Sequence, residues 1–259
     1  MEQTLREKCD RLCEEIRSIL AYPVSCYLFG SVALNDYKPG WSDIDFLCLT
    51  EQPLSEQEAG TLLELRQKLQ SSRKDPVYRT FEGGILWEEA FWKEEPSRAV
   101  YWGTSGQRIR SEFTLDCFSL YELLQNGIPL CGTDRRGQGK LPTFEKLRKG
   151  VVAHYHGIRE HASETGETLY SCGWLFDIAR CLYTLRSGTV IAKTAAGEWA
   201  LENQFCPNPE VLRKALLLRK NPYLFHEETQ WRRWCGGLGK EIQSFADVLE
   251  REIRLSDTQ

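Results

Sequence analysis

The chain has no uninterrupted apolar run of the ~18 residues that a membrane-spanning helix needs. Its first residues, MEQTLREKCD, are charged and hold no apolar core of a signal peptide. There is no basic excess: 33 Lys and Arg stand against 37 Asp and Glu, a formal net charge of −4. The electrostatic footprint of a nucleic-acid binder is therefore missing, while a mildly acidic balance suits small cationic substrates. Ten cysteines include no Cys-x-x-Cys pair, which argues against a thiolate zinc site. Cys26, Cys48, Cys117 and Cys181 lie inside apolar runs, where a free thiol behaves as a small buried hydrophobe. His154, His156, His161 and His226 are the only histidines, and none has a second metal-type partner at ligand spacing. Internal repeats and low-complexity tracts are absent. Together these absences predict a cytoplasmic globular protein, with no membrane or nucleic-acid partner.

Hydrophobic periodicity then divides the chain. Leu5, Cys9, Leu12, Cys13, Ile16, Ile19 and Leu20 predict an amphipathic helix over residues 4–20. Strands are predicted at Val24–Phe29 and Ile44–Leu49. Ser55-Glu56-Gln57-Glu58 is a capping-box pattern for a helix running to about Ser71. Val77–Phe81 with Gly83–Leu86 suggests a strand broken or bulged at the glycines. Residues 87–112 have no clear period; their tryptophans Trp87, Trp92 and Trp102 suit packing roles. Phe113–Phe118 is expected as a strand, and Ser119–Asn126 as a short helix ended by Gly127 and Pro129. Asp134–Lys140, DRRGQGK, has the composition of a linker or mobile loop. Beyond it, 144–161, 172–187, 194–205, 210–220 and 227–254 all carry helical periodicity, with Gly188 at a capping position.

The chemistry concentrates in residues 28–45. Gly30-Ser31 closes the first predicted strand, and Asp43 and Asp45 open the second. Alternate residues of a strand share a face, so the two carboxylates stand side by side. Such a pair repels unless a cation lies between, and hard oxygen ligands of this type suit Mg²⁺ held together with substrate phosphates. Gly30 allows close backbone approach to a phosphate, while Ser31 and Ser42 add hydroxyls. The pattern points to nucleotide chemistry, and it supplies what a nucleotidyl transfer needs. Glu82 and Asp116 are both candidates for a third carboxylate that receives the proton of an attacking hydroxyl.

Gly30-Ser31 followed by Trp41-Ser42-Asp43-Ile44-Asp45 resembles the signature of polymerase-β-type nucleotidyltransferases. More narrowly, it resembles the adenylyltransferases that modify streptomycin and spectinomycin. Arg79-Thr80-Phe81-Glu82, Gly127–Gly132, Asp177–Tyr183, Ser187–Lys193 and Ala196–Ala200 extend the likeness. The resemblance implies an α+β protein: a mixed-sheet nucleotidyltransferase domain over 1–142, followed by an all-helical domain over 143–259. It implies Asp43 and Asp45 as Mg²⁺ ligands and Glu82 as the base. Gly30, Ser31 and Ser42 would contact ATP, and Arg180 and Lys193 would reach its β and γ phosphates across a domain gap. The expected enzyme is a monomeric adenylyltransferase for a small cationic acceptor, an antibiotic-resistance activity. The alternatives are AMP transfer to a protein or tRNA end, and a non-catalytic ATP-binding regulatory module.

The acceptor region departs from the family. Positions that carry a tryptophan and an aspartate in streptomycin-modifying members fall here on His161 and Gly166, which favours spectinomycin over streptomycin. An acidic position falls on Tyr170, with Glu160, Glu164 and Glu167 nearby. Glu88, Glu89, Glu94 and Glu95 supply further acidic density near Glu82.

Overall fold

The computed structural model describes residues 2–71, 75–103 and 106–256. It divides into two units: Met1–Tyr37 with Ser42–Leu141, and Lys38–Trp41 with Pro142–Gln259.

The first unit begins with α1 (Gln3–Ile19), which buries Leu5, Cys9, Leu12, Cys13 and Ile16 at helical spacing. After β1 (Val24–Leu28) comes the single turn α2 (Gly30–Ala33), then β2 (Ile44–Thr50). The capping box is formed as predicted before α3 (Glu56–Ser71). The Ser55 N–H donates to Glu58 Oε2 at 2.8 Å, and the Glu58 N–H donates to Ser55 Oγ at 3.2 Å. A 3-10 turn at Pro76–Arg79 leads into β3 (Phe81–Trp87). Then follow α4 (Glu88–Lys93), β4 (Ala99–Gly103), β5 (Gly106–Arg110), α5 (Cys117–Asn126) and β6 (Ile128–Cys131). Residues 104 and 105 of the stretch without a clear period lie outside the described residues.

The six strands form one mixed sheet in the order β5-β4-β3-β2-β1-β6. Among the described residues, β2 and β3 pair in parallel and the other neighbours are antiparallel. One sheet face packs Cys26, Leu28, Ile44, Phe46, Phe81, Ile85, Val100 and Trp102 with residues of α1 and α3. The opposite face packs Tyr27, Leu47, Leu49, Leu86 and Ala99 with Phe91 of α4 and Leu123 of α5.

Four local expectations change. Val77–Phe81 is mostly not a strand: Asp75 accepts a hydrogen bond from the Val77 N–H, Pro76 presets the turn, and extension starts only at Phe81. The glycines make no bulge, since the register runs unbroken from Ile44↔Phe81 to Thr50↔Trp87. A Cβ on Gly83 would lie 1.8 Å from the Phe46 carbonyl oxygen, and one on Gly84 would lie 2.6 Å from the Phe113 ring. Phe113–Phe118 is not a strand, because Asp116 caps α5 and starts helix at Cys117. Asp134–Lys140 contains a 3-10 turn, with the Arg136 guanidinium donating to the Gly127 carbonyl at 2.5 Å.

The second unit is helical: α6 (Phe144–His161), α7 (Leu169–Ser187), α8 (Lys193–Glu202), α9 (Pro209–Lys220), α10 (Tyr223–Glu227), α11 (Thr229–Gly236) and α12 (Gly239–Ser256). Helix α7 is central, packing against α6, α8 and α12. It ends in a left-handed cap at Gly188, φ 69°. The periodic stretch 227–254 is interrupted at Glu228, which is extended, and around Gly237. Gly239 starts α12 where a Cβ would lie 2.1 Å from the Ser163 carbonyl oxygen. Among the described residues, no helix is long and apolar enough to cross a membrane.

Candidate active site

Strand β1 delivers the chain to the site and Gly30 turns it. The Phe29 N–H donates to the Asp45 carbonyl at 3.1 Å, which ties the end of β1 to the start of β2. Gly30 has φ +62°, and a Cβ there would lie 2.0 Å from Asp45 Oδ2. The Asp45 carboxylate thus occupies the space that a side chain at residue 30 would need. Ser31 follows, its hydroxyl donating to the Asp43 carbonyl at 3.4 Å.

The two aspartates keep the predicted alternation. Ser42, Ile44 and Phe46 are buried, whereas Asp43 and Asp45 are half-buried. In the parallel β2–β3 ladder Asp45 is the direct partner of Glu82, also half-buried. Three carboxylate residues therefore share one edge of the sheet: Asp43, Asp45 and, on the next strand, Glu82. Asp116 is not among them. Its carboxylate accepts from the N–H groups of Phe118 at 2.8 Å and Ser119 at 3.0 Å, and from the Ser119 hydroxyl at 2.8 Å.

Two neighbours of this edge were not singled out from the sequence. The Tyr101 hydroxyl donates to Glu82 Oε1. Tyr101 stands opposite Gly84, on the Glu82 face of the sheet. Burial and the Glu82 charge push its phenol up to about 12, so it remains a donor at any ordinary pH. The second is Arg66 of α3, fully buried. Its guanidinium donates to the carbonyls of Tyr78 and Arg79 and lies 5.5 Å from the centre of the Trp102 ring. Burial pulls Arg66 down to about 10, against the charges of Glu82 and Asp43, which favour its cation. Its alignment on two carbonyls of the 3-10 turn fixes the backbone just ahead of Glu82.

In the second unit, Lys193 opens α8 and its Nζ lies 2.9 Å from Asp177 Oδ1. Arg180, one turn further along α7, approaches the same oxygen at 4.0 Å. Burial pushes the Asp177 carboxyl up, but Lys193 and Arg180 outweigh it and hold it below its ordinary value, with a smaller contribution from His154. Asp177 lies inside a motif stretch of the sequence, but nothing local there marks it as the anion shared by two cations. Trp41, from the segment just before Ser42-Asp43, belongs to this unit as well. Its ring meets Phe176 edge-on at 6.1 Å, with the Arg219 guanidinium 5.3 Å from it. Arg219 Nε also donates to Thr194 Oγ1 at 3.0 Å.

The acceptor candidates separate. Glu88 accepts from Gln138 at 3.0 Å and faces Arg135 at 3.7 Å, while Glu89 pairs with Lys93 at 2.5 Å. These acids are matched by local cations. By contrast, His161, Glu164, Gly166 and Tyr170 line one concavity of about 370 Å³ with Trp174. Tyr170 is 72% exposed there and meets Trp174 edge-on at 5.3 Å.

A mixed sheet with two aspartates entering one strand, a glutamate opposite on the next and a Gly-Ser turn against the second aspartate has the layout expected of a nucleotidyltransferase. Residues 9–94 match the model of the nucleotidyltransferase domain. Residues 143–251 match that of the aminoglycoside adenylyltransferase C-terminal domain, so the chain belongs with the aminoglycoside adenylyltransferase-like nucleotidyltransferases. A spectinomycin 9-adenylyltransferase from Campylobacter jejuni is 22% identical over 238 residues, covering 88% of this chain and 86% of that protein. The fold is also that of the spectinomycin adenyltransferase AAD(9) from Enterococcus faecialis, solved with ATP and spectinomycin. The TM-score is 0.69 at 18% identity, over 94% of this chain and 98% of that one.

Proposed function

We propose that this chain transfers AMP from ATP to a hydroxyl of an aminocyclitol or aminoglycoside, with spectinomycin the favoured acceptor, and releases pyrophosphate. The observation that carries the reading is the Asp45–Glu82 pairing across β2 and β3, with Asp43 on the same edge and Gly30 directly against Asp45.

Glu82 takes the acceptor's proton. The Tyr101 hydroxyl donates to one of its oxygens and orients the carboxylate. Gly30, Ser31 and Ser42 contact the triphosphate. The donor set at this edge is all carboxylate oxygen, a hard set whose chemistry fits Mg²⁺ on Asp43 and Asp45. When bound, that ion supplies charge neutralisation at the phosphates. Lys193 and Arg180 supply positive charge for the distal phosphates, with Asp177 as the anion that holds both in readiness until nucleotide binds.

The acceptor is recognised by the concavity around Tyr170 and Trp174, where aromatic faces and Glu164 suit an amino-bearing ring. The likeness to a spectinomycin 9-adenylyltransferase supports spectinomycin as the acceptor. The test is ATP-dependent pyrophosphate release with spectinomycin and with streptomycin, using Asp45→Asn as control. Turnover with spectinomycin that Asp45→Asn abolishes is expected. Failure of both antibiotics to support release would overturn the acceptor assignment.

A further inference from the structure

Cys13, Cys26 and Cys131 are far apart in the sequence, on α1, β1 and β6. In the fold their sulfurs all lie within 4.8 Å of one another. Cys48 Sγ is a further 3.2 Å from Cys26 Sγ, across the β1–β2 ladder. Cys13 and Cys26 are buried, whereas Cys131 is part-exposed. We propose that Cys13, Cys26 and Cys131 form a three-thiolate site for a thiophilic divalent cation such as zinc, with water in the fourth position.

The geometry needs little adjustment. A Zn–S bond of about 2.3 Å in a tetrahedral site sets the sulfurs about 3.8 Å apart. Closing from 4.8 Å or less is a matter of χ1 rotation of three short side chains. Three thiolates and one divalent cation leave a single negative charge, and Arg17 is the cation that faces it. An open concavity of about 490 Å³ is lined by Arg17, Tyr22, Pro23 and Gly132, the residue after the part-exposed Cys131. The absence of Cys-x-x-Cys hides this site in the sequence, because each ligand comes from a different element.

Cadmium titration of the reduced protein tests the proposal. One equivalent of cadmium should raise an ultraviolet thiolate-to-metal band, on the metal-free and on the zinc-loaded protein alike, because the softer ion displaces zinc from thiolates. Cys131→Ser and Cys13→Ser should each weaken cadmium binding by at least about tenfold, since even an outer-sphere partner is worth that much. Cys206→Ser and Cys235→Ser should leave it unchanged. On the unaltered chain, zinc should protect Cys131 from alkylation as read by peptide mass mapping, a readout that needs no variant to fold. Absence of a band, no protection of Cys131, or a band lost in Cys235→Ser instead would overturn the assignment. So would an intact mass two hydrogens short, which marks a disulfide in place of the thiols.

Discussion

Gly30→Ala isolates the most specific contact in the proposed active site. The new Cβ would lie 2.0 Å from Asp45 Oδ2, whereas ordinary contact begins near 3.4 Å. The carboxylate must therefore retreat by about 1.4 Å, and a misplacement of about 1 Å can cost a hundredfold in rate. The substitution also carries the backbone cost of a side chain at φ +62°, roughly 1–2 kcal/mol. Gly40→Ala separates these effects. Gly40 has φ +82° but nothing within 4 Å of its Cβ position, so it bears similar backbone strain with no carboxylate to displace. Pyrophosphate release under kcat/KM conditions, with thermal unfolding alongside, reads both. Gly30→Ala should lose about a hundredfold or more in kcat/KM, and both variants should melt a few degrees lower. If Gly30→Ala retained activity within about threefold, or Gly40→Ala lost as much, the placement of Asp45 against the Gly30 turn would not be catalytic geometry.

Asp45→Asn should abolish Mg²⁺-dependent ATP binding in calorimetry; tight Mg-ATP binding in that variant would remove the metal assignment. Glu82→Gln should still bind ATP but lose about 10²–10⁴-fold in transfer, the usual worth of a general base. Asp116→Ala should cost about 1 kcal/mol in chemical denaturation through the lost α5 cap and leave kcat unchanged. A folded but inactive Asp116→Ala protein would return the base role to that residue. Lys193→Met bears on pH stability. Asp177 is held below its ordinary value, so its contribution is complete above the unfolded carboxylate value of about 4 and is lost as pH falls through the lower, folded value. Without Lys193, burial acts less opposed, so the acid loss should begin at higher pH, with about 1–2 kcal/mol lost at neutrality. An unchanged pH–stability profile would remove the Asp177–Lys193 link.

Features written in neighbouring residues were legible from the chain alone. The burial period of α1, the Ser55–Glu58 capping box, the Gly188 cap and the alternation of Asp43 with Asp45 each depend on a few consecutive positions. Local propensity and side-chain direction decide such features before any long-range contact forms. The same logic misjudged Phe113–Phe118 and Val77–Phe81, where one capping aspartate in each outweighed the apolar character of the run. What the tertiary structure alone decided is which distant groups meet. The parallel register set Glu82, rather than Asp116, opposite Asp45. Strand β4 brought Tyr101 to Glu82, α8 brought Lys193 to Asp177, and β6 carried Cys131 to Cys13 and Cys26. Each of these meetings depends on sheet order and helix packing, and no local periodicity encodes a pairing between elements that far apart.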